Sequence, residues 1–154
     1  MLENLKNNSD KFVKFFVLFV LSAFATNACS FNVSTAALEE VKTCTEVPEN
    51  QPCASDISQF EKTTPKIFVT SNLKYAPEGT KIKIDWKYLG GGSVKATDID
   101  SITLETKSDT KFVYSYLSAP TSGWPDGDYE IVLSINTDNS KPVHKQFSIS
   151  KPKS

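Results

Sequence analysis

The chain has 154 residues, of which 39% are apolar and 23% are charged, and its formal net charge is −1. This length is typical of one domain, and this balance of residues is typical of a globular chain rather than a disordered one. All 17 basic residues are lysines. Because arginine is the preferred residue for phosphates and base edges, nucleic-acid binding is not expected.

The residues that usually carry catalysis or hold metals are scarce. One histidine, His144, and three cysteines leave little material for a His-rich zinc site or a Ser-His-Asp triad. The sequence also contains no Gly-x-Ser-x-Gly elbow, no His-Glu-x-x-His pair and no glycine-rich phosphate loop. The sequence therefore predicts no enzyme, no metal site and no cofactor.

Residues 1–28 are predicted to be a signal peptide. Lys11 and Lys14 flank the start of an apolar run, residues 15–25. A run of about eleven residues is too short to cross ~30 Å of hydrocarbon as a helix, but it suits a secretory signal, and small residues follow it as a cleavage site requires. The alternative is an uncleaved anchor. We expect an exported protein located in the periplasm, at the outer membrane or at the cell surface.

The cleavage point decides the fate of Cys29. Cleavage after Ala25, after Ala28 or after Ser30 each fits the small residues of this region. Cleavage after Ala28 makes Cys29 the first residue, and this site resembles a bacterial lipoprotein processing site, in which that cysteine is acylated. Cys29 is therefore a candidate lipidation residue, which would be the chain's only membrane contact. A freely soluble exported protein is the other alternative.

Cys44 and Cys53 are predicted to form a disulfide. Exported proteins favour paired cysteines, and the segment between these two contains prolines and polar residues that suit a closed loop. Cys29 is then the odd cysteine, and either lipidation or removal with the leader accounts for it.

Residues 29–64 are predicted to be a short N-terminal segment with helical turns. Ala36–Lys42 has a short helical pattern, and Asp56 precedes Gln59 at the spacing of a helix N-cap and its reciprocal partner. Too few apolar residues lie here for an independent core. The segment is therefore expected to pack on the main domain or to act as a spacer, and the disulfide favours packing.

From Pro65 onward the apolar residues alternate, which predicts strands. Lys81–Tyr88 is the clearest case, with four large apolar side chains on one face and charged side chains on the other. The segment Gly90–Asp98 is predicted to be a long flexible loop. In the strand Lys111–Leu117, two apolar sets lie on opposite faces, so the sequence does not decide which one is inward. The other predicted strands begin at Ile67, Ser101, Tyr129 and Val143.

A corner precedes the strand that begins at Tyr129. Pro125 fixes φ and Gly127 tolerates the positive φ of a tight reversal. The segment from Trp124 to Tyr129 resembles the tyrosine corner of immunoglobulin-like and fibronectin-type-III-like domains of exported bacterial proteins, and the resemblance covers Pro65–Ser150. It implies an all-β, antiparallel immunoglobulin-like β-sandwich over 65–150, followed by a tail at 151–154. It also implies that the Tyr129 hydroxyl bonds to upstream backbone.

Two aromatic residues are candidates for binding. Tyr75 and Trp124 are both predicted to lie in loops, where aromatic side chains often stack on a sugar or a peptide. Trp124 also has a second interpretation, since a tryptophan beside a corner proline commonly caps the end of a sandwich core.

The sequence favours a non-catalytic exported envelope protein that binds another protein or a glycan, because the immunoglobulin-like fold carries no chemistry by itself. One alternative is a structural subunit of a surface fibre or pilus, which predicts an exposed sheet edge and self-association. Another is a periplasmic inhibitor of a hydrolase, which predicts a protruding rigid loop, with 90–98 as the candidate. The identity of the partner does not follow from the sequence.

Overall fold

The computed structural model describes residues 35–49, 51–91, 94–137 and 139–150, and in them eight strands form two sheets. The predicted signal peptide, Cys29 and the tail lie outside these residues. None of the described residues forms a helix long and apolar enough to cross a membrane. The strands are β1 (Ala37–Cys44), β2 (Gln59–Glu61), β3 (Lys66–Lys74), β4 (Lys81–Gly90), β5 (Thr97–Glu105), β6 (Phe112–Ser118), β7 (Gly127–Ile135) and β8 (Val143–Ser150).

The two sheets face each other as a sandwich. The three-stranded sheet has the order β1-β3-β6, and the five-stranded sheet has the order β2-β8-β7-β4-β5. Neighbouring strands are antiparallel except for β2, which runs parallel to β8. The predicted all-β sandwich is therefore confirmed. It leaves β6 and β5 at the outer edges of their sheets.

The core lies between the sheets, where alternate residues of each strand meet. Its centre is a group of aromatic rings: the Tyr129 and Phe147 rings stack with centroids 5.0 Å apart, and Trp86 meets Phe147 edge-on at 6.3 Å. Aliphatic side chains from both sheets surround the rings and exclude water from them. The largest fully buried ones are Ile67, Val69, Ile82, Ile84, Ile131 and Leu133.

The period-two interpretation of residues 65–150 agrees with the strands β3 to β8. One correction concerns the ends of the loop predicted over 90–98, which is shorter than predicted because strand residues extend into it from both sides. Gly90 ends β4, Thr97 begins β5, and Gly91 forms a bridge with Val94. The connection between these two strands therefore comprises residues 91–96.

The predicted helical turn at Ala36–Lys42 is wrong, because these residues belong to β1. A bulge between Glu39 and Lys42 inserts one extra residue into the pairing with β3. Leu38 and Val41, three residues apart, both pack against the core as a result. This spacing imitates a helical period in the sequence.

The N-cap predicted at Asp56 is wrong as well. The Asp56 carboxylate accepts a hydrogen bond from the Thr43 N–H at 3.0 Å, and Gln59 begins β2. Because β1 and β2 each occupy an edge of a sheet, the sandwich begins at Ala37 rather than at Pro65. The disulfide-bearing segment is thus part of the sandwich and not a separate unit before it.

Candidate functional site

The corner before β7 is a structural device. The Tyr129 hydroxyl donates a hydrogen bond to the Pro125 carbonyl oxygen at 2.7 Å, and the Trp124 indole Nε1 donates to the Thr64 carbonyl oxygen at 2.6 Å. Trp124 is only 2% exposed and meets the Tyr129 ring edge-on. Trp124 therefore caps the core, and its candidate role in binding is wrong because its ring is not accessible.

Gly127 lets β7 start close to the end of β4. Its φ is +142°, and a Cβ atom built there would lie 2.6 Å from the Gly90 carbonyl oxygen. In the same place the Tyr88 hydroxyl donates to the Asp126 carbonyl oxygen at 2.7 Å. Burial raises the pKa of Tyr129, so its hydroxyl stays protonated and available as a donor. Two tyrosine hydroxyls thus fasten the corner to the sandwich.

Tyr75, the other candidate for binding, lies at the opposite end of the sandwich. It directly follows β3, whereas Trp124 is bonded to Thr64, just before β3. Nine strand residues at about 3.3 Å each separate these two ends by roughly 30 Å. Tyr75 is 79% exposed with a φ of +53°. The structure therefore does not bring the two predicted binding residues together.

The predicted disulfide between Cys44 and Cys53 is confirmed, with 5.9 Å between the Cα atoms. It closes the connection that follows β1. The Cys53 N–H donates to the Thr70 hydroxyl at 3.1 Å, which buries that outward-facing residue of β3. The disulfide-closed connection thereby covers part of the outer surface of the three-stranded sheet.

The connection is also tied to the five-stranded sheet. The Lys145 ammonium on β8 forms an ion pair with the Asp56 carboxylate, and Thr43 donates to the same carboxylate. Desolvation alone would raise the pKa of Asp56, but the hydrogen bonds from Lys145 and Thr43 outweigh it and hold the pKa below its usual value. Lys145 lies on the apolar side of β8, and its ammonium group is neutralised there by the Asp56 carboxylate.

The rest of the outer surface of the three-stranded sheet carries four aromatic residues, which we call the aromatic face: Phe68, Phe112, Tyr114 and Tyr116. Tyr116 pairs directly with Phe68 across β3 and β6, and their ring centroids are 5.3 Å apart. Phe112 and Tyr114 stack along β6 at 6.3 Å. Tyr114 is 50% exposed and Tyr116 is 47% exposed. Water-accessible rings in one contiguous set are typical of an interaction surface.

A groove of about 370 Å³ runs along the aromatic face, with the disulfide-closed connection as its wall. The Lys66 ammonium lies 4.9 Å from the centroid of the Tyr116 ring, close enough for a cation–π interaction. Lys66 and Glu49 are the charged side chains that line this groove. The remaining lining residues are Val47, Pro48 and the four residues of the aromatic face.

A second groove, of about 460 Å³, separates β5 from β6 and opens onto the same residues of β6. It exists because these two strands end their sheets without being joined to each other. Ile102 and Leu104 of β5 line it, together with Val113 of β6. Two of the hydroxyl groups along it have protein partners, since Ser115 accepts from Trp86 and Thr106 donates to the Pro77 carbonyl oxygen.

Within the described part of the chain, no three His, Cys, Asp or Glu side chains are grouped as metal ligands would be. The surface that stands out is therefore the aromatic face and its two grooves. Its chemistry is that of recognition: rings for apolar contact, hydroxyls at their tips, and an open strand edge beside them.

The strand arrangement matches a known structure. A crystal structure of an immunoglobulin-like protein from Pseudomonas aeruginosa aligns with this chain at a TM-score of 0.52 and 10% sequence identity, over 75% of this chain and 96% of that one. The chain has an immunoglobulin-like fold. At this identity the likeness concerns the fold alone. No family model and no curated protein matches the sequence.

Two features distinguish this immunoglobulin-like fold from an antibody domain. Antibody domains join their two sheets by a disulfide that packs against a buried tryptophan. Here Trp86 is buried at 1% exposure in β4, but the disulfide lies outside the core, between the end of β1 and the connection that follows. Trp86 instead reaches the facing sheet by a hydrogen bond to Ser115 at 3.1 Å.

Sequence reasoning missed the aromatic face. In the strand predicted over Lys111–Leu117, one of the two apolar sets is Phe112, Tyr114 and Tyr116, and the sequence offers Val113 and Leu117 as an equally apolar alternative. The deciding fact is that Val113 and Ser115 are buried. The available signal was Ser115, a small polar residue between Tyr114 and Tyr116. A serine side chain fits against the buried Trp86 ring, whereas a tyrosine side chain is too large for that place.

Proposed function

We propose that this chain is a non-catalytic exported protein of a bacterial envelope, and that its immunoglobulin-like domain binds another protein through the aromatic face. The observation that carries the proposal is the half-exposed pair Tyr114 and Tyr116, set in an aromatic cluster on an otherwise well-packed sandwich. Tyrosine is enriched in protein interfaces because it offers a large rigid contact area and a polar tip.

Export is supported by two independent features. The disulfide between Cys44 and Cys53 is of the kind that persists in oxidising compartments. The apolar run at residues 15–25 has the length and flanking residues of a secretory signal. Fractionation of cells of the source organism tests this part: we expect the mature chain in the envelope, and a cytosolic product retaining residues 1–28 would contradict it.

A protein partner is favoured over a glycan by the unpaired main chain beside the aromatic face. Glycan sites combine a stacking ring with side chains that are free to hydrogen-bond sugar hydroxyls. Here the hydroxyls of Ser115, Thr106 and Thr110 are engaged within the protein, but charged side chains such as Asp100 and Lys66 also line the grooves, so the side chains alone do not separate a glycan from a protein. The unpaired main chain at the edge of β6 suits a polypeptide instead.

The proposal is tested by affinity capture from the envelope fraction with three forms of the mature chain. The forms are wild type, the double variant Tyr114→Ser with Tyr116→Ser, and Tyr75→Ser as a matched control on an exposed tyrosine outside the aromatic face. We expect one protein in stoichiometric amount, reduced about tenfold or more with the double variant and retained with Tyr75→Ser. Equal recovery with all three forms would overturn the proposal.

Two further outcomes would also overturn it. Competition by purified envelope polysaccharide, with no protein recovered, would assign the aromatic face to a glycan. Concentration-dependent association of the purified mature chain, abolished by the double variant, would favour a structural fibre subunit. Sedimentation of the chain at high concentration separates these cases, because a recognition domain is expected to stay monomeric.

A further inference from the structure

Among the edges of the two sheets, β6 is the one that is built without protection. Exposed edges in natural proteins usually carry lysines, prolines, bulges or inward charges that block pairing with another chain. The pairing of β6 with β3 runs without a bulge from Ser118 to Phe112. The seven residues of β6 include no charged residue and no proline.

The other edge strands each carry such a device. β1 has the bulge between Glu39 and Lys42, and its end is covered because the Ile57 N–H donates to the Thr43 carbonyl oxygen at 2.7 Å. β2 is only three residues long. β5 has a bulge in its pairing with β4, and it places Asp100 opposite Trp86 on the core-facing side. Unlike the other edge strands, β6 therefore has a main-chain edge that is open to pairing with another strand.

The main chain of β6 presents alternate residues to that open edge. The Leu73 N–H donates to the Lys111 carbonyl oxygen at 2.8 Å, just before β6, which sets the phase of the ladder with β3. In an antiparallel pair, every second residue turns its N–H and C=O to the partner and the others turn away. Phe112, Tyr114 and Tyr116 therefore direct their main-chain groups to the open edge, beside their own exposed rings.

The groove next to this edge is apolar along its length and acidic at its ends. Ile102 and Leu104 are half-buried on the core-facing side of β5 and leave apolar surface open to the groove. Among the residues that the structure describes, Asp100 and Glu105 are the charged side chains that line it, and no lysine does so. The whole of β5 contains three carboxylates and no basic residue.

We infer that the protein partner supplies an extended segment that pairs with β6 as an added strand and fills the groove toward β5. The inference rests on the proposed function and specifies how the partner is recognised. The segment carries apolar side chains at the two central inward positions, over Ile102 and Leu104, and a lysine or arginine at each end, near Asp100 and Glu105. Its outward side chains lie beside Tyr114 and Tyr116, at the distance of cross-strand neighbours.

Charge and size support this occupant. A basic residue at each end is attracted by the carboxylates of β5, and an acidic segment is repelled by them. The groove volume of about 460 Å³ is in the range of sites that bury a drug-sized group, so the groove receives the inward side chains of the segment rather than the whole segment. Main-chain bonds to β6 supply affinity, while the two central apolar side chains and the basic side chain at each end supply specificity.

The probe for the test is the capped peptide Lys-Thr-Val-Thr-Val-Thr-Lys added to the mature chain, with amide hydrogen exchange followed residue by residue. We expect exchange at Tyr114 and Tyr116 to slow by about tenfold or more, while Val113 and Ser115, already bonded to β3, do not change. The same peptide with both lysines replaced by glutamate is expected to bind about tenfold more weakly. Equal binding of the two peptides, slowed exchange elsewhere only, or no effect at millimolar peptide would each overturn the inference.

Two variants at one position separate the strand pairing from the ring contacts. Tyr114→Thr removes the ring but keeps the N–H, and is expected to bind the peptide within a few-fold of wild type. Tyr114→Pro removes an N–H that the ladder with β3 does not use, and is expected to abolish binding. Melting curves of both variants establish that they are folded. Equal affinity of folded Tyr114→Pro and Tyr114→Thr contradicts strand addition. The same test can be made without altering the protein, by adding N-methyl groups to the peptide amides that would pair with β6, which is expected to abolish binding.

The outcomes distinguish the inference from the proposed function. If envelope capture depends on the aromatic face but the peptide leaves the β6 amides unchanged, the strand addition is wrong and protein recognition stands. If capture does not depend on the aromatic face, the proposed function is wrong. A second copy of the chain paired along β6, detected as a dimer by sedimentation and by slowed exchange of the Tyr114 amide without peptide, would overturn the choice of a foreign partner.

Discussion

Trp86 and Ser115 join the two sheets across the core: the indole Nε1 donates a hydrogen bond of 3.1 Å to the serine hydroxyl oxygen, and both side chains are buried. Ser115 lies on β6 between Tyr114 and Tyr116, with its side chain directed the opposite way. The bond therefore holds the unpaired edge strand against the centre of the five-stranded sheet. It links the packing of the core to the position of the aromatic face.

Replacing Ser115 with alanine is expected to lower the free energy of unfolding by about 1–3 kcal/mol, because it leaves the buried indole N–H without an acceptor. Urea unfolding followed by tryptophan fluorescence measures the change. Ser118→Ala, on the exposed end of the same strand, is the matched control and is expected to change stability by less than about 0.5 kcal/mol. Equal effects of the two variants would show that the Trp86 bond is not stabilising.

The corner predicts that removing the Tyr129 hydroxyl lowers the stability of the fold. Tyr129→Phe keeps the buried ring but loses the 2.7 Å bond to the Pro125 carbonyl oxygen, and we expect a loss of about 1–2 kcal/mol in the free energy of unfolding. Tyr114→Phe is the control, since its hydroxyl is on an exposed residue. An unchanged melting temperature for Tyr129→Phe would contradict the assignment of the corner.

The disulfide between Cys44 and Cys53 predicts a loss of stability on reduction. For a loop of this length, the chain-entropy treatment gives roughly 2.5–3 kcal/mol. Denaturant unfolding of the mature chain, with and without reductant, measures the difference, and the double variant Cys44→Ser with Cys53→Ser is expected to behave as the reduced chain does. Intact mass is the independent check, because a disulfide lowers the mass of the chain by two hydrogens. A purified, untreated chain with the mass of two free thiols would contradict the pairing.

The ion pair of Asp56 with Lys145 predicts a loss of stability in acid. The pKa of Asp56 is lowered below its ordinary value of 3.8 in the folded chain. Its contribution is therefore fully present above pH 3.8 and is lost as the pH falls through the folded-state pKa. Because the Asp56 side chain is 42% exposed, we expect no more than about 1 kcal/mol.

Asp56→Asn tests this contribution. The variant is expected to be less stable than wild type at neutral pH and to approach it at a pH well below 3.8, as measured by urea unfolding at both values. A difference of the same size at both pH values would mean that the carboxylate charge does not contribute. Asp98→Asn serves as the control, because Asp98 is an exposed residue of β5.

The sequence predicted those parts of the fold that depend on local alternation. Lys81–Tyr88 alternates without interruption and forms most of β4, and the corner at Tyr129 was recognised from proline, glycine and tyrosine in adjacent positions. β1 was misread because a bulge changes which residues face the core, and only the pairing with β3 shows where that bulge lies.

The candidate site depends on relationships that no local pattern contains. Phe68 and Tyr116 meet only because β3 and β6 are neighbours, and the groove beside them exists only because β5 and β6 end separate sheets. Trp124 looked accessible because its segment is a turn, yet Thr64, which is distant in sequence, binds its indole. Exposure of an aromatic residue is a property of the assembled sandwich.

The most direct test of recognition by the aromatic face is site-specific photocrosslinking in intact cells of the source organism. A benzoylphenylalanine is placed at Tyr114 in one form of the full chain and at Tyr75 in another, so that both probes are on exposed residues. The account predicts a discrete adduct with one envelope protein from position 114 and none from position 75. An adduct from position 75 alone, or from neither position, would contradict it.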